Sequence, residues 1–142
     1  MLSIKNFIHT RLRDDATIRT LTGGASPHYN VFHDHPLASI DFSTLSAVIY
    51  NEQPSLLQTN AKPIEIRDEF YLITGIGANF ESIMERVHEL FHNLEPEDLT
   101  DTDRKILKIQ FDWASPDLYD EEKNIWQKQH RYKVTVSVPL TR

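Results

Sequence analysis

Apolar residues recur along this chain with two different periods. Near the start, Ile4, Phe7, Ile8 and Leu12 fall on one helical stripe, with Lys5, Arg11 and Arg13 off it. A second short cluster, Ile18 and Leu21, runs into Gly23-Gly24, which reads as a helix stop. The stretch SPHYNVFHDHP then gives a short extended piece bounded by prolines. Strand-like runs of period two follow. Leu45, Ala47 and Ile49 alternate with Ser46, Val48 and Tyr50, and Ile64, Ile66, Phe70 and Leu72 with Glu65, Arg67, Glu69 and Tyr71. Leu107, Ile109, Phe111 and Trp113 alternate with Lys108, Gln110 and Asp112, and Tyr132, Val134, Val136 and Val138 with Lys133, Thr135 and Ser137. Such runs predict antiparallel or mixed strands covered on one side.

Between the second and third runs a strong helix is predicted from Asn79 to about Leu94. Asn79 is its expected N-cap, and Phe80, Ile83, Met84, Val87, Phe91 and Leu94 its buried stripe. The order helix, strands, helix, strands predicts an α+β fold in a single domain over residues 1–142. Its sheet is expected to be mixed or antiparallel, of about four to five strands, with two helices packed on one face. Residues 51–63 read as a long polar connection, 95–103 as an acidic one, and 114–125 as a long acidic hairpin loop. Long loops in a small domain are usually functional or contact-making.

Composition narrows the function. The 142 residues carry a formal net charge of -6, which disfavours a nucleic-acid clamp and suits a surface that must not stick to DNA. The absence of cysteine removes disulfides, thiolate metal sites and a cysteine nucleophile. No apolar run approaches the ~20 residues that span a bilayer, so no membrane contact is expected. The opening MLSIKNFIHTRLRDD lacks the apolar centre of a signal peptide, which leads us to expect a protein made and used in a cytoplasm.

Some local strings carry candidate chemistry. HELFH, residues 88–92, spells the zinc-protease pattern H-E-x-x-H, with His88 and His92 as ligands and Glu89 as general base. At ~100° per residue, however, these three lie well round from the helix's apolar stripe, on a face that Glu81 and Glu85 make polar. A third ligand has no recognisable spacing, the candidates being Glu95, Glu97, Asp98 and His130. His33-Asp34-His35 resembles the H-x-H of amidohydrolases, but those barrels need ~250 residues, so a polar loop is expected. Gly75-Ile76-Gly77 lacks the third glycine of a dinucleotide fingerprint and is expected to let the chain turn sharply out of a strand. Trp113, Trp126, Tyr119 and Tyr132 are expected in core or interface.

The whole order of elements resembles the small tail-completion or tail-terminator proteins of long-tailed bacteriophages. The resemblance is carried by the first amphipathic helix and by Asp15-Ala16-Thr17-Ile18-Arg19-Thr20-Leu21-Thr22-Gly23, which matches "D-x-x-x-x-x-L-x-G". It continues through the extended piece Tyr29-Asn30-Val31 and the strand Leu45-Ser46-Ala47-Val48-Ile49-Tyr50, similar to "P-Y-V-V-Y" but without its proline. A strand feeding an amphipathic helix (69–94) and a closing strand pair (105–139) complete it. The resemblance implies a structural virion protein, not an enzyme, with no cofactor and no catalytic residue. It implies a homo-oligomeric ring, typically hexameric, assembled in the host cytoplasm. Its partners would be the tail tube protein, whose polymerisation it ends, and a head-completion or neck protein. DNA would pass through without specific binding, along a channel lined by Glu95, Glu97, Asp98, Asp101, Asp103, Asp117, Asp120, Glu121 and Glu122. A small zinc metalloprotease at HELFH and a head-completion or neck adaptor stand as alternatives.

Overall fold

The computed structural model describes residues 4–35, 40–61, 64–95, 100–101 and 104–139. The first helix, α1 (Ile4–Arg13), buries Ile4, Ile8 and Leu12 of the stripe expected from the sequence and leaves its Phe7 half-buried against the core. A break at Asp14-Asp15 starts α2 (Ala16–Thr22). Asp15 caps it by accepting the Ile18 N–H at 3.0 Å. Gly23, left-handed at φ 70°, closes it with its N–H on the Arg19 carbonyl. The aspartate and glycine that bound the "D-x-x-x-x-x-L-x-G" stretch are therefore the two caps of one short helix.

The strands are β1 (Val31–His33), β2 (Ser46–Ala61), β3 (Ile64–Gly77), β4 (Thr100–Asp101), β5 (Arg104–Ala114), β6 (Leu118–Asp120) and β7 (Ile125–Pro139), with α3 (Phe80–Phe91) between β3 and β4. They form one seven-stranded sheet in the order β1-β2-β3-β7-β5-β4, with β6 paired to the start of β7. Only β1 and β2 run parallel among these pairs. The α+β architecture with helices on a mixed sheet is the expected one. Two expected strands of each long hairpin are accompanied by the short β1, β4 and β6, which are too brief to show a period.

Two expected loops are strand instead. Residues 51–61 continue β2, paired from Asn51↔Leu72 to Ala61↔Ile64 with a register slip between Gln53 and Leu57. Their polar composition hides the strand because β3 supplies the hydrogen bonds and no helix covers that end. Within 114–125, β6 pairs with β7 from Leu118↔Gln127 to Asp120↔Ile125. Asp120 Oδ1 shapes the turn by accepting the N–H groups of Glu122 and Lys123.

The helices cover one face of the sheet. Against them lie Val48 and Tyr50 of β2, Tyr71 and Ile73 of β3, Ile106 and Ile109 of β5, and Tyr132, Val134 and Val136 of β7. In α3, Phe80, Ile83, Met84, Val87, Leu90 and Phe91 are buried. Leu94, expected as its last turn, lies beyond the helix and bridges to Ile109. Asn79 does not cap with its side chain. Its amide donates to the Leu21 carbonyl at 2.9 Å, and its N–H donates to Ser46 Oγ at 2.8 Å, so it ties α3 to α2 and β2.

In β3 the face expected inside is the outer one. Cross-strand register pairs Tyr71 with Tyr132 and Phe70 with Lys133, which puts Phe70 and Leu72 on the side away from the helices. The alternation misleads because α3, 12 residues and about 18 Å long, covers only part of the 14-residue, roughly 46 Å β3. Beyond it, Glu69 and Arg67 share the helix side with Tyr71 and make that side look polar. In β5, register shifts between Ile106 and Lys108 and between Phe111 and Trp113 turn Leu107 and Trp113 out of the core.

Two glycines allow close packing. A Cβ on Gly75 would stand 2.8 Å from Met84 Sδ, so glycine lets α3 settle on β3. Gly77, at φ 110°, would bring a Cβ within 2.5 Å of the Leu45 carbonyl as the chain leaves the strand.

The face assignment has a direct stability test. Ile73→Ala should cost about 3 kcal/mol in urea unfolding, with Leu72→Ala costing less than about half of that in dissociated protein. The reverse order would contradict the assignment.

Candidate functional site

The HELFH residues lie at the flank of α3 that meets β5 and β7. His88 is half-buried, which corrects the expectation of an ordinary solvated face. Its ring stacks on His92 at 4.6 Å between centroids, meets Phe111 edge-on at 5.1 Å, and stands perpendicular to His130 at 6.2 Å. His92 is the C-cap residue, exposed, and within 3.1 Å of the Asn93 amide. Glu89, the would-be base, is exposed and held by Arg86 at 2.8 Å. The same guanidinium reaches back to Asp15 at 2.7 Å and locks α3 to the start of α2. Hydrogen bonding to Arg86 keeps the Asp15 carboxyl below the usual carboxylate range.

His130, a candidate third ligand, is brought beside His88 but is buried, with Nδ1 3.0 Å from the Tyr132 hydroxyl. Burial, reinforced by Lys128 and His88, pushes its pKa down to about 4. Burial, then His92, lowers His88 as well. The rings of His88, His130 and Tyr132 surround Phe111 as an aromatic stack, the packing use of neutral imidazoles. Glu95 is exposed, while Glu97 and Asp98 lie outside the described residues. Zinc requires three or four donors about 2 Å from one point. Among the described residues, the His, Asp and Glu donors that converge in a group of three are His33, Asp34 and Glu52.

That second cluster sits where β1 meets β2. His33 Nε2 is 3.1 Å from Glu52 Oε2, and Nδ1 is 3.3 Å from Asp34 Oδ2. The carboxylates thus occupy opposite edges of the imidazole. A metal on either nitrogen would have one carboxylate beside it and the other on the second nitrogen. The His33–Glu52 hydrogen bond works as a clamp that pins β1 to β2. Asp34, at φ 71°, is fixed by its N–H on the Tyr50 carbonyl and by the Asn51 amide on its Oδ1. The Tyr50 hydroxyl, 2.8 Å from His9 Nδ1, is pushed up to about 12 by burial and by Glu52 and Asp34.

The acidic residues divide between two places. Glu81, Glu85 and Glu89 along α3, with Asp117, line an open cleft of about 510 Å³ whose other wall holds Lys128 and His130. Asp120, Glu121 and Glu122 are exposed on the adjacent β6–β7 turn. Asp101 is in β4, opposite Arg104 at the far end of β5. That end is roughly 33 Å of strand from Ala114. Asp103 lies outside the described residues. Among the described residues, the expected channel acids are therefore not gathered into a single patch.

A sheet with one solvated face that can pair with a neighbour is expected from strands covered on one side, but the residues of that face are not evident from the spacing. Register places Trp113, Arg131 and Leu72 in one row across β5, β7 and β3, and Gln110, Lys133 and Phe70 in the next. Trp113 is 46% exposed. Arg131 is held by Asp112 at 2.6 Å, and its guanidinium carbon lies 5.1 Å from the centre of the Phe70 ring. The signal was present in β7, whose alternate positions from Arg131 onward are Arg131, Lys133, Thr135 and Ser137, with no acid among them. Tyr132 is core, as one half of the aromatic expectation allowed, and Tyr119 and Trp126 stay exposed, Trp126 stacked on Phe80.

No family profile matches the chain. No curated protein matches it either. Among solved structures the fold is similar to a chain described as "Virion of native gene transfer agent (GTA) particle". The TM-score is 0.67 at 15% identity, over 92% of this chain and 91% of that one. At that identity the likeness establishes the fold.

The buried histidine gives an acid-stability test. His130 is easier to protonate unfolded than folded, so its contribution is complete above pH ~6.5 and is lost as pH falls to about 4. The loss should approach about 3 kcal/mol, and His130→Gln should flatten that limb of the urea-stability profile. An unchanged limb would contradict a neutral buried imidazole.

Proposed function

We propose that this chain is a structural, non-enzymatic virion protein that caps a phage-type tail tube as a homo-oligomeric ring, ends tube polymerisation and joins the tail to the neck. The observation that carries this reading is the whole-chain likeness to a virion component, covering 92% of one chain and 91% of the other. The resemblance of the chain's element order to tail-terminator proteins supports the finer role. The geometry is suited to assembly. Three strands extend past the helical layer, one sheet face is uncovered, and large side chains remain in solvent. A head-completion or neck adaptor role shares this support and differs in where the ring sits. The zinc-protease alternative gains nothing from the geometry, since Glu89 is engaged by Arg86 and no three-donor group forms at HELFH among the described residues.

The acidic segments fit a channel that DNA crosses without binding, because like charge repels phosphate. Asp120, Glu121 and Glu122 lie on the β6–β7 turn, beyond one end of β5, and Asp101 in β4 pairs with the other end, so a ring would repeat two separate acidic girdles rather than one.

Purified protein added to growing tail tubes should stop elongation and leave a ring at one tube end in negative-stain images. Continued growth with bare tips would overturn the capping role. Separately, reversing Asp98, Asp101 and Asp103 to lysine should make rings retain DNA in a filter-binding assay, and unchanged retention would remove the channel role of that segment.

A further inference from the structure

The chain is acidic overall, yet its charge is sorted by side. The uncovered sheet face carries Lys105, Lys108, Arg131 and Lys133, against Asp68 and Asp112. Asp112 is spent on Arg131, and Asp68 accepts a hydrogen bond from Thr135. Lys105, Lys108 and Lys133 form no ion pair among the described residues. Between these cations lie the apolar groups that β3 and β5 turn outward: Phe70 and Leu72, half-buried, and Trp113, the most exposed large apolar residue described. An apolar centre with tryptophan and a stacked, pre-positioned arginine inside a charged rim is the composition of a protein-binding surface.

The opposite side of the molecule has the complementary character. Glu81, Glu85 and Glu89 recur every fourth residue along α3 and share the open cleft with Asp117. Glu81 and Glu85 have no ion-pair partner among the described residues. The cations nearby are already engaged, Lys128 by Asp117 at 3.8 Å and Arg86 by Asp15 and Glu89.

Resting on the ring reading above, we propose that subunits join head to tail. The uncovered sheet face of one copy, through Trp113, Arg131, Lys108 and Lys133, docks on the acidic α3–β6 cleft of the next. The two surfaces are unlike and lie on opposite sides of one sheet. Contact between unlike faces propagates around a ring, whereas a two-fold pairing would set cations against cations. Nucleic acid is the competing occupant of the basic face. A second copy is favoured because the centre of that face is apolar and because unpaired acids of the same chain offer the matching surface.

The test uses two full-length variants, Lys108→Glu/Lys133→Glu and Glu81→Lys/Glu85→Lys, each checked for wild-type thermal unfolding. Light scattering on a sizing column should show that either variant alone loses ring by about tenfold or more at the wild-type working concentration. Mixing them in equal amounts should restore rings of alternating composition, because each reversed face then meets an opposite one. Neutral variants, Lys108→Gln/Lys133→Gln and Glu81→Gln/Glu85→Gln, replace them if either unfolds, and each must then weaken the ring. Rings that form unchanged from one charge-reversed variant alone overturn the interface and leave the ring reading standing. So does a mixture of folded variants that fails to reassemble. Wild-type protein that forms no ring, free or on tube ends, overturns the ring reading itself. Loss of wild-type DNA binding in Lys108→Glu/Lys133→Glu with rings intact assigns the face to nucleic acid and overturns the proposal.

Discussion

The alternation along β7 is the constraint on which the rest depends. This strand is hydrogen-bonded to β3 on one side and to β5 and β6 on the other, so its two side-chain rows decide what each face of the sheet becomes. One row, His130, Tyr132, Val134 and Val136, is buried beneath the helices. The other, Arg131, Lys133, Thr135 and Ser137, points to the uncovered side. A slip of one residue would exchange them and put two cations into the core. Register therefore couples folding to surface chemistry: the pairing that buries the valines also presents the basic face.

The helical layer is held to that sheet at a few points that do more than pack. Arg86 joins α3 to the N-cap aspartate of α2, and Asn79 joins the start of α3 to α2 and β2. Gly75 removes the side chain that would hold α3 off β3. These contacts leave the Glu81, Glu85 and Glu89 edge of the helix unoccupied and facing the β6 turn. The histidines follow from the same packing. His88 and His130 are drawn onto Phe111 because β5 and β7 rise against that flank, and a neutral ring is the form such a niche accepts.

Much of the architecture was legible from period alone. The first helices, α3 and the buried row of β7 are where apolar spacing puts them, since each has a single partner face. The spacing failed where a strand has two different neighbours. Phe70 and Leu72 look like core because they are apolar, yet Tyr71 and Ile73 face the helices. Leu107 and Trp113 look like core until register shifts, invisible in the letters, turn them out. Residues 51–61 look like loop because their pairing partner is 64–72, not their own composition. For the candidate site, HELFH was visible as a string, but its meaning depended on β5 and β7, far away in sequence. The basic face was written in the polar positions of β7 and became a surface only when register joined them to Trp113, Phe70 and Leu72.

The central claim is that this chain acts as an assembled ring rather than as a monomeric catalyst. Native mass spectrometry of untagged protein, with and without a chelator, reads subunit number and bound metal in one spectrum. The account predicts a single closed oligomer whose mass the chelator does not change. A monomer carrying one chelatable metal ion per chain would contradict it and return HELFH to the centre of the protein's function.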